Sequence, residues 1–334
     1  MFSTTLAEVV QVSGRRAIRV SILPSIVFCA LALTVAVLST EDPLAVLRGW
    51  LSQPGDAKAL TAGAFVLTVL LVSAVMDSAQ MILLRGAEGY WGPLITRILN
   101  DLGYQHHRRQ LHNAMSEDVH YRYPPVTRSH EVMPTTLGNV LKSAEIYPLM
   151  HYGIDSVLVW PRLFHVLPES TLNTLGAARS DLSTLLNHAF LTGILSLISS
   201  GYVLGTDGPV PLFLTCLWGG SLLSWIFYRG AVNRAIAYGQ HIRSTFDLYR
   251  GLLLEAVGDE TASESTEERD QWKRWCLFWH RGVPRDHQSP SNRDQPSTSV
   301  PDIDSNQEAH LSFSQIGLVI IFAVGVIGSS ILLI

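Results

Sequence analysis

Apolar and polar positions alternate along this chain on two scales. Five long apolar runs set the coarse pattern, and helical spacing within the polar-rich stretches sets the fine one. Val20 to Leu38 holds no charged residue. At about 1.5 Å per residue it covers a hydrocarbon core of roughly 30 Å. Leu60 to Leu84 is interrupted mainly by Asp77, Ser78 and Gln80. Leu185–Leu204 and Val210–Tyr228 are separated only by a turn at Gly205–Gly208, so they read as an antiparallel helical hairpin. Ile316 to Ile334 is charge-free and reads as a fifth span of tail-anchor type. The pattern predicts a mainly α integral membrane protein with about five transmembrane helices. A small helical cytoplasmic domain lies between spans two and three.

The soluble stretches follow from the same reading. Residues 1–19 form a polar lead with Arg15, Arg16 and Arg19. The run after it is longer than a signal-peptide apolar region and leads into Val37-Leu38-Ser39, not a small-x-small site, so it is expected to stay uncleaved. Residues 40–58 read as a short polar loop. The domain spans 85–184, with its information concentrated in a core at 133–168. Tyr90-Trp91 reads as an interfacial aromatic pair. Thr135 or Thr136 can cap a helix carrying Leu137, Val140, Leu141 and Ala144 on one face. Tyr147-Pro148 is expected to end that helix. Asp155 can cap a second one, which Trp160-Pro161-Arg162 should interrupt.

Residues 229–258 read as one amphipathic helix leaving the membrane, its apolar stripe needing a partner that 133–168 can supply. Arg243 and Asp247 stand at i, i+4 on its polar side. Residues 259–312 hold three segments. The acidic stretch reaching Asp270 is expected to be mobile. Trp272, Trp275 and Trp279 share a helical face near Lys273, Arg274 and Arg281, which suits the headgroup level of a membrane or packing on the soluble unit. Residues 282–307, rich in Pro, Ser, Asp and Asn, are expected to be disordered.

Charge adds sidedness. Of the 24 lysines and arginines, only Arg48 and Lys58 fall on the side opposite the domain. Basic residues flanking spans favour the cytoplasm, so the N-terminal lead, the domain and 229–312 are placed there and the C-terminus outward, in the plasma or inner membrane. Hydrophobic residues at 47 % and charged ones at 16 % exclude an ordinary soluble enzyme. A net charge of −4 excludes a nucleic-acid binder.

Candidate chemistry is sparse. Cys29, Cys216 and Cys276 lie far apart with no metal-ligand spacing. The histidines at 106, 107, 112, 120 and 130 lack a paired i, i+4 arrangement with a carboxylate, so a solvated or headgroup-facing surface is expected in place of a metal site. Glu131, Asn139, Lys142, Glu145, Asp155, Arg162 and His165 supply the polar groups an enzyme at the membrane surface would need, with Glu145 and Asp155 as a possible carboxylate pair. Asp77 and, more weakly, His188 are the footholds for a channel or transporter. No catalytic, cofactor or metal residue is singled out, and no cofactor is expected.

PTTLGNVLKSAE at 134–145, followed by HYGIDSVLVWPRLFHVLP at 151–168, resembles a family of bacterial multi-pass membrane proteins with a PTxLGNxLxxxE…YGxDxxxxWPRLxxxLP core. The resemblance covers roughly residues 60–258. It implies the layout and carries over no reaction, cofactor or catalytic residue. The leading expectation is a non-enzymatic scaffold, sensor or assembly protein acting through its cytoplasmic domain. Its expected partners are membrane lipid and either other copies of itself or other proteins.

Overall fold

The computed structural model describes residues 18–90, 101–113 and 119–283. Helices dominate, and no strand occurs among the described residues. In order they are α1 (Leu23–Leu38, entered by a π-helical turn at Ile18–Ile22), α2 (Pro43–Leu51), α3 (Gly55–Glu88) and α4 (Asp101–Asn113). Then follow α5 (Thr136–Tyr152), α6 (Ser156–Val166), α7 (Glu169–Gly205), α8 (Val210–Ala256) and α9 (Ser265–Arg281). Four of these helical stretches are long and apolar enough to cross a membrane: Val20–Leu38, α3, α7 and α8. The lead at 1–17, most of the 282–307 stretch and the fifth run at 316–334 lie outside the described residues.

The apolar stretches of α3, α7 and α8 continue without a break into the polar part of the molecule. One core therefore runs from Met76 and Phe190 through Tyr228 and Ala231 to Leu137 and Val140 of α5. Its polar bonds share one level. The Ser21 hydroxyl donates to Asp77 at 3.1 Å, and the Asn187 amide donates to the Val20 carbonyl at 2.8 Å. On the same turn of α7, His188 packs against Phe227 in a tilted arrangement with ring centres 4.9 Å apart.

A second core lies deeper in the polar part. Phe246 and Leu254 of α8, Val159 and Leu163 of α6, and Trp272 and Trp275 of α9 are all buried there. Each large apolar side chain so buried contributes about 1.5–3 kcal/mol.

Several expectations need correction. Residues 40–58 contain a helix. Asp42 accepts from the Ala45 amide at 3.0 Å and Pro43 occupies the first turn, a capping pair stronger than the loop composition around it. Helix α5 does not end at Tyr147-Pro148. Pro148 is buried inside it, and the end comes at Gly153, whose left-handed φ of 72° suits glycine. Likewise α6 passes through Pro161, which costs one backbone hydrogen bond without halting the turn.

Two further outcomes, one a correction, concern the end of the described chain. The acidic stretch is tied down: Asp259 accepts from the Trp275 indole at 2.8 Å, and Gln271 donates to the Glu260 carbonyl at 2.7 Å. Trp272 and Trp275 point into the second core and Trp279 packs against it, so of the two readings of the tryptophan face, packing on the soluble unit is the one observed. Trp160 is only partly covered, resting on Phe246 at 5.7 Å between ring centres, and Trp272 is the deeper anchor.

The segment 134–139 joins this unit to α3. Helix α3 ends with carbonyls that lack intrahelical partners. The Thr135 hydroxyl lies 2.8 Å from the carbonyls of both Ala87 and Glu88 while capping α5 through the Gly138 amide at 3.0 Å. Fully buried Asn139 closes the preceding loop by accepting from the Met133 amide at 2.7 Å and donating to the Met133 carbonyl at 2.8 Å. Gly138 permits the approach, because a Cβ there would stand 2.2 Å from the Glu88 carbonyl oxygen. Gly138→Ala should therefore lower stability by about 1–3 kcal/mol. An unchanged melting temperature in detergent would show that α3 and α5 are not so closely joined.

Candidate functional site

Polar side chains of the unit gather in two networks. The first sits where α3 meets α5. Lys142 lies 2.8 Å from Glu145 and 3.4 Å from Glu131, and Arg128 pairs with Glu131 from the turn before. Glu88, in the last turn of α3 beyond its apolar stretch, faces this cluster. Burial, and then the Glu145 carboxylate, push its carboxyl up to about 7 against the opposing pull of Arg85 and Lys142. Lys142 is held above its ordinary value: burial works against its charge, and the hydrogen bond and charge of Glu145 outweigh it.

The second network lies between α5, α8 and α9. Asp247 accepts from the Tyr152 hydroxyl at 2.7 Å and the Tyr147 hydroxyl at 3.2 Å. Burial and the bond to Asp247 raise the Tyr152 phenol well above its usual range. Arg250 stands 3.9 Å from the centre of the Tyr152 ring and pairs with Glu268 of α9 at 2.7 Å. Arg243 does not stand on an exposed polar side of α8 as expected. It turns inward, 8 % exposed, to donate to Ser143 at 2.7 Å between the rings of Tyr121 and Tyr147.

Of the residues considered for catalysis, Glu131, Lys142 and Glu145 meet in the first network, whereas Asp155 and Arg162 are engaged elsewhere. Glu145 is engaged by Lys142, and Asp155 caps α6 through the Val157 and Leu158 amides. Arg162 donates to the Leu158 carbonyl and lies 4.6 Å from the Trp279 ring centre, while His165 is exposed. A cleft of about 220 Å³ between the start of α7 and α8 is lined by Ser170, Thr171, Thr174, His241, Ser244 and Tyr249 among others, and none of those seven candidates reaches it.

The solvated surface expected for the histidines does not hold at His107, which is buried. His107 bonds the Tyr123 hydroxyl at 2.9 Å and is kept neutral, its value lowered to about 4 by burial and by neighbouring His106. Among the described residues no three His, Cys, Asp or Glu side chains are placed to hold a metal ion.

What sequence reasoning missed are Glu88, Tyr121, the Tyr147–Asp247–Tyr152 triad and Arg250–Glu268. Spacing gives no sign of them, since their partners lie about 95–100 positions apart or on a separate helix. The chain matches no family model, no curated protein and no solved structure.

Proposed function

We propose that this is a multi-span membrane protein whose extramembrane unit, on the cytoplasmic side, serves as a scaffold or sensing platform for partners or further copies. The observation that carries this reading is continuity. Helices α3, α7 and α8 pass unbroken from apolar stretch to unit, so a load on the unit reaches the membrane segments through one packed core. The polar networks support the same reading, because their members bind one another across elements.

The membrane surface on the unit's side is placed at the level of Ser21, Asp77, Asn187 and Phe227. The spans then run over 20–38, 60–77, 187–205 and 210–228, and Asp77 is an interfacial residue tied to Ser21. An ionisable group inside hydrocarbon would carry a heavier cost and a stronger functional implication. The cytoplasmic side rests on the skew of basic residues toward the unit's side. A reporter inserted near Gly205 should be active only as an outward marker, and one within 85–181 only as an inward one. The opposite pattern defeats the assignment.

The functional test is cross-linking in native membranes followed by recovery of the full chain. A partner or an oligomer joined through the unit is expected. Recovery of the monomer alone counts against the scaffold.

A further inference from the structure

We infer that α2 lies flat in the leaflet opposite the unit, its apolar side seated at the boundary between phospholipid headgroups and acyl chains. This rests on the multi-span reading above. Helix α2 joins the ends of α1 and α3 that lie away from the unit, and none of its residues is buried against the protein. Leu44, Leu47 and Leu51 are 61, 52 and 57 % exposed, and Val46 and Trp50 are exposed beside them. At about 100° per residue these side chains fall within one arc of roughly 160°. Arg48 borders that arc, and only Ala45 and Gly49 occupy the side turned away from it.

Bonds at both ends fix the depth of α2. The Trp50 indole donates to the Thr61 hydroxyl at 3.2 Å, and the Lys58 ammonium donates to the Leu51 carbonyl at 2.7 Å. Thr61 is one residue past Leu60, where the apolar run of α3 begins. Trp50 is thereby held at the edge of the hydrocarbon, the level at which tryptophan is enriched. At the other end, the Thr40 amide still donates to the Val37 carbonyl at 3.2 Å, which leaves Glu41 and Asp42 to connect α1 to Pro43. With both ends held at the surface, a helix about 14 Å long runs along it.

Lipid is the occupant that this position supplies. The arc continues the exposed apolar sides of α1 and α3 at Leu38 and Leu60, which face the acyl chains. Arg48 at the rim can lay its stem along the arc and bring its guanidinium to the lipid phosphates. Leucines and a tryptophan on one side, with a basic residue at the border, suit a helix lying in the interface plane. Helix α3 carries this contact across the membrane to the Thr135 joint, which gives the sensing reading a lipid input.

The test uses the full chain with Cys29, Cys216 and Cys276 changed to alanine, spin-labelled one site at a time in phosphatidylcholine–phosphatidylglycerol vesicles. Access of oxygen, which partitions into lipid, is compared with access of a water-soluble nickel chelate. Labels at Leu47→Cys and Leu51→Cys should lie about 5–10 Å below the headgroup surface. Labels at Ala45→Cys and Gly49→Cys should meet the nickel chelate, and Gly49 has nothing within 4 Å to resist a side chain. A label at Leu67→Cys, on the exposed side of α3 midway through its span, is the reference for hydrocarbon. If that reference reads water, the multi-span reading fails and the inference with it. If it reads hydrocarbon while positions 47 and 51 meet the chelate as freely as 45 and 49, α2 stands in solvent and only the inference is overturned. Exclusion of both reagents from 47 and 51 assigns the side to protein and overturns it as well, as does one depth shared by all these labels on α2. Should Leu47→Cys lower the melting temperature, Leu51→Cys carries the reading by itself.

Discussion

Trp272→Ala should lower the stability of the protein by about 3–5 kcal/mol, the cost of removing a fully buried indole from a packed core. Its ring is enclosed by elements that come from distant parts of the chain. Phe246 and Leu254 belong to α8, and Val159 and Leu163 to α6. Removing it opens a cavity that these rigid helices can close only in part. The indole N–H finds no hydrogen-bond partner among the described residues. A buried donor left unpaired costs about 1–3 kcal/mol, so Trp272→Phe sheds that cost while losing some ring volume and should be much milder than alanine. Partly covered Trp160 should lose less than Trp272 when changed to alanine. The measurement is thermal unfolding in a lipid nanodisc, together with protease sensitivity at 259–283. If Trp272→Ala melts with the parent, α9 is not docked as described and the tryptophan face belongs at the membrane surface after all.

The second large effect is one of pH. Glu88 has a folded-state value of about 7 against an ordinary 4.5, so the folded protein binds its proton more tightly than the unfolded chain does. The stability this group contributes is fully present below about pH 4.5. It is lost as pH rises through about 7, where the carboxylate must sit ionised beside Glu145. The shift corresponds to about 3 kcal/mol between those limits, at about 1.4 kcal/mol per pH unit. Glu88→Gln keeps the neutral shape at every pH. The difference between parent and variant melting temperatures should therefore open by about 6–12 °C from pH 5 to pH 8, with the variant higher at pH 8. Lys142 titrates far above this window and does not confuse the readout. Parallel curves would show that Glu88 is already ionised in the folded protein. A large effect would mean that the joint between α3 and the unit loosens in alkali, at the place where Thr135 covers the last carbonyls of α3.

The sequence by itself determined the helical class and the positions of the four long apolar helices among the described residues, because a run of some twenty apolar residues has few other physical outcomes. It also determined the cap at Asp155 and narrowed the other to Thr135 or Thr136, since an N-cap bond closes within three residues of its own side chain, and the structure selects Thr135. Pro148 and Pro161 misled because a single proline lowers helix stability by an amount that packing on both sides can offset. The tryptophan face was plain from its spacing, yet its partner was not. A periodic apolar face fits a membrane surface and a protein core equally well, and only the positions of α6 and α8 decide between them. The same holds for charge. Lys142 with Glu145 was legible as neighbours on one helix. Glu88, Asp247 with its two tyrosines, and Arg250 with Glu268 were not, because each depends on how separate helices are brought together in space.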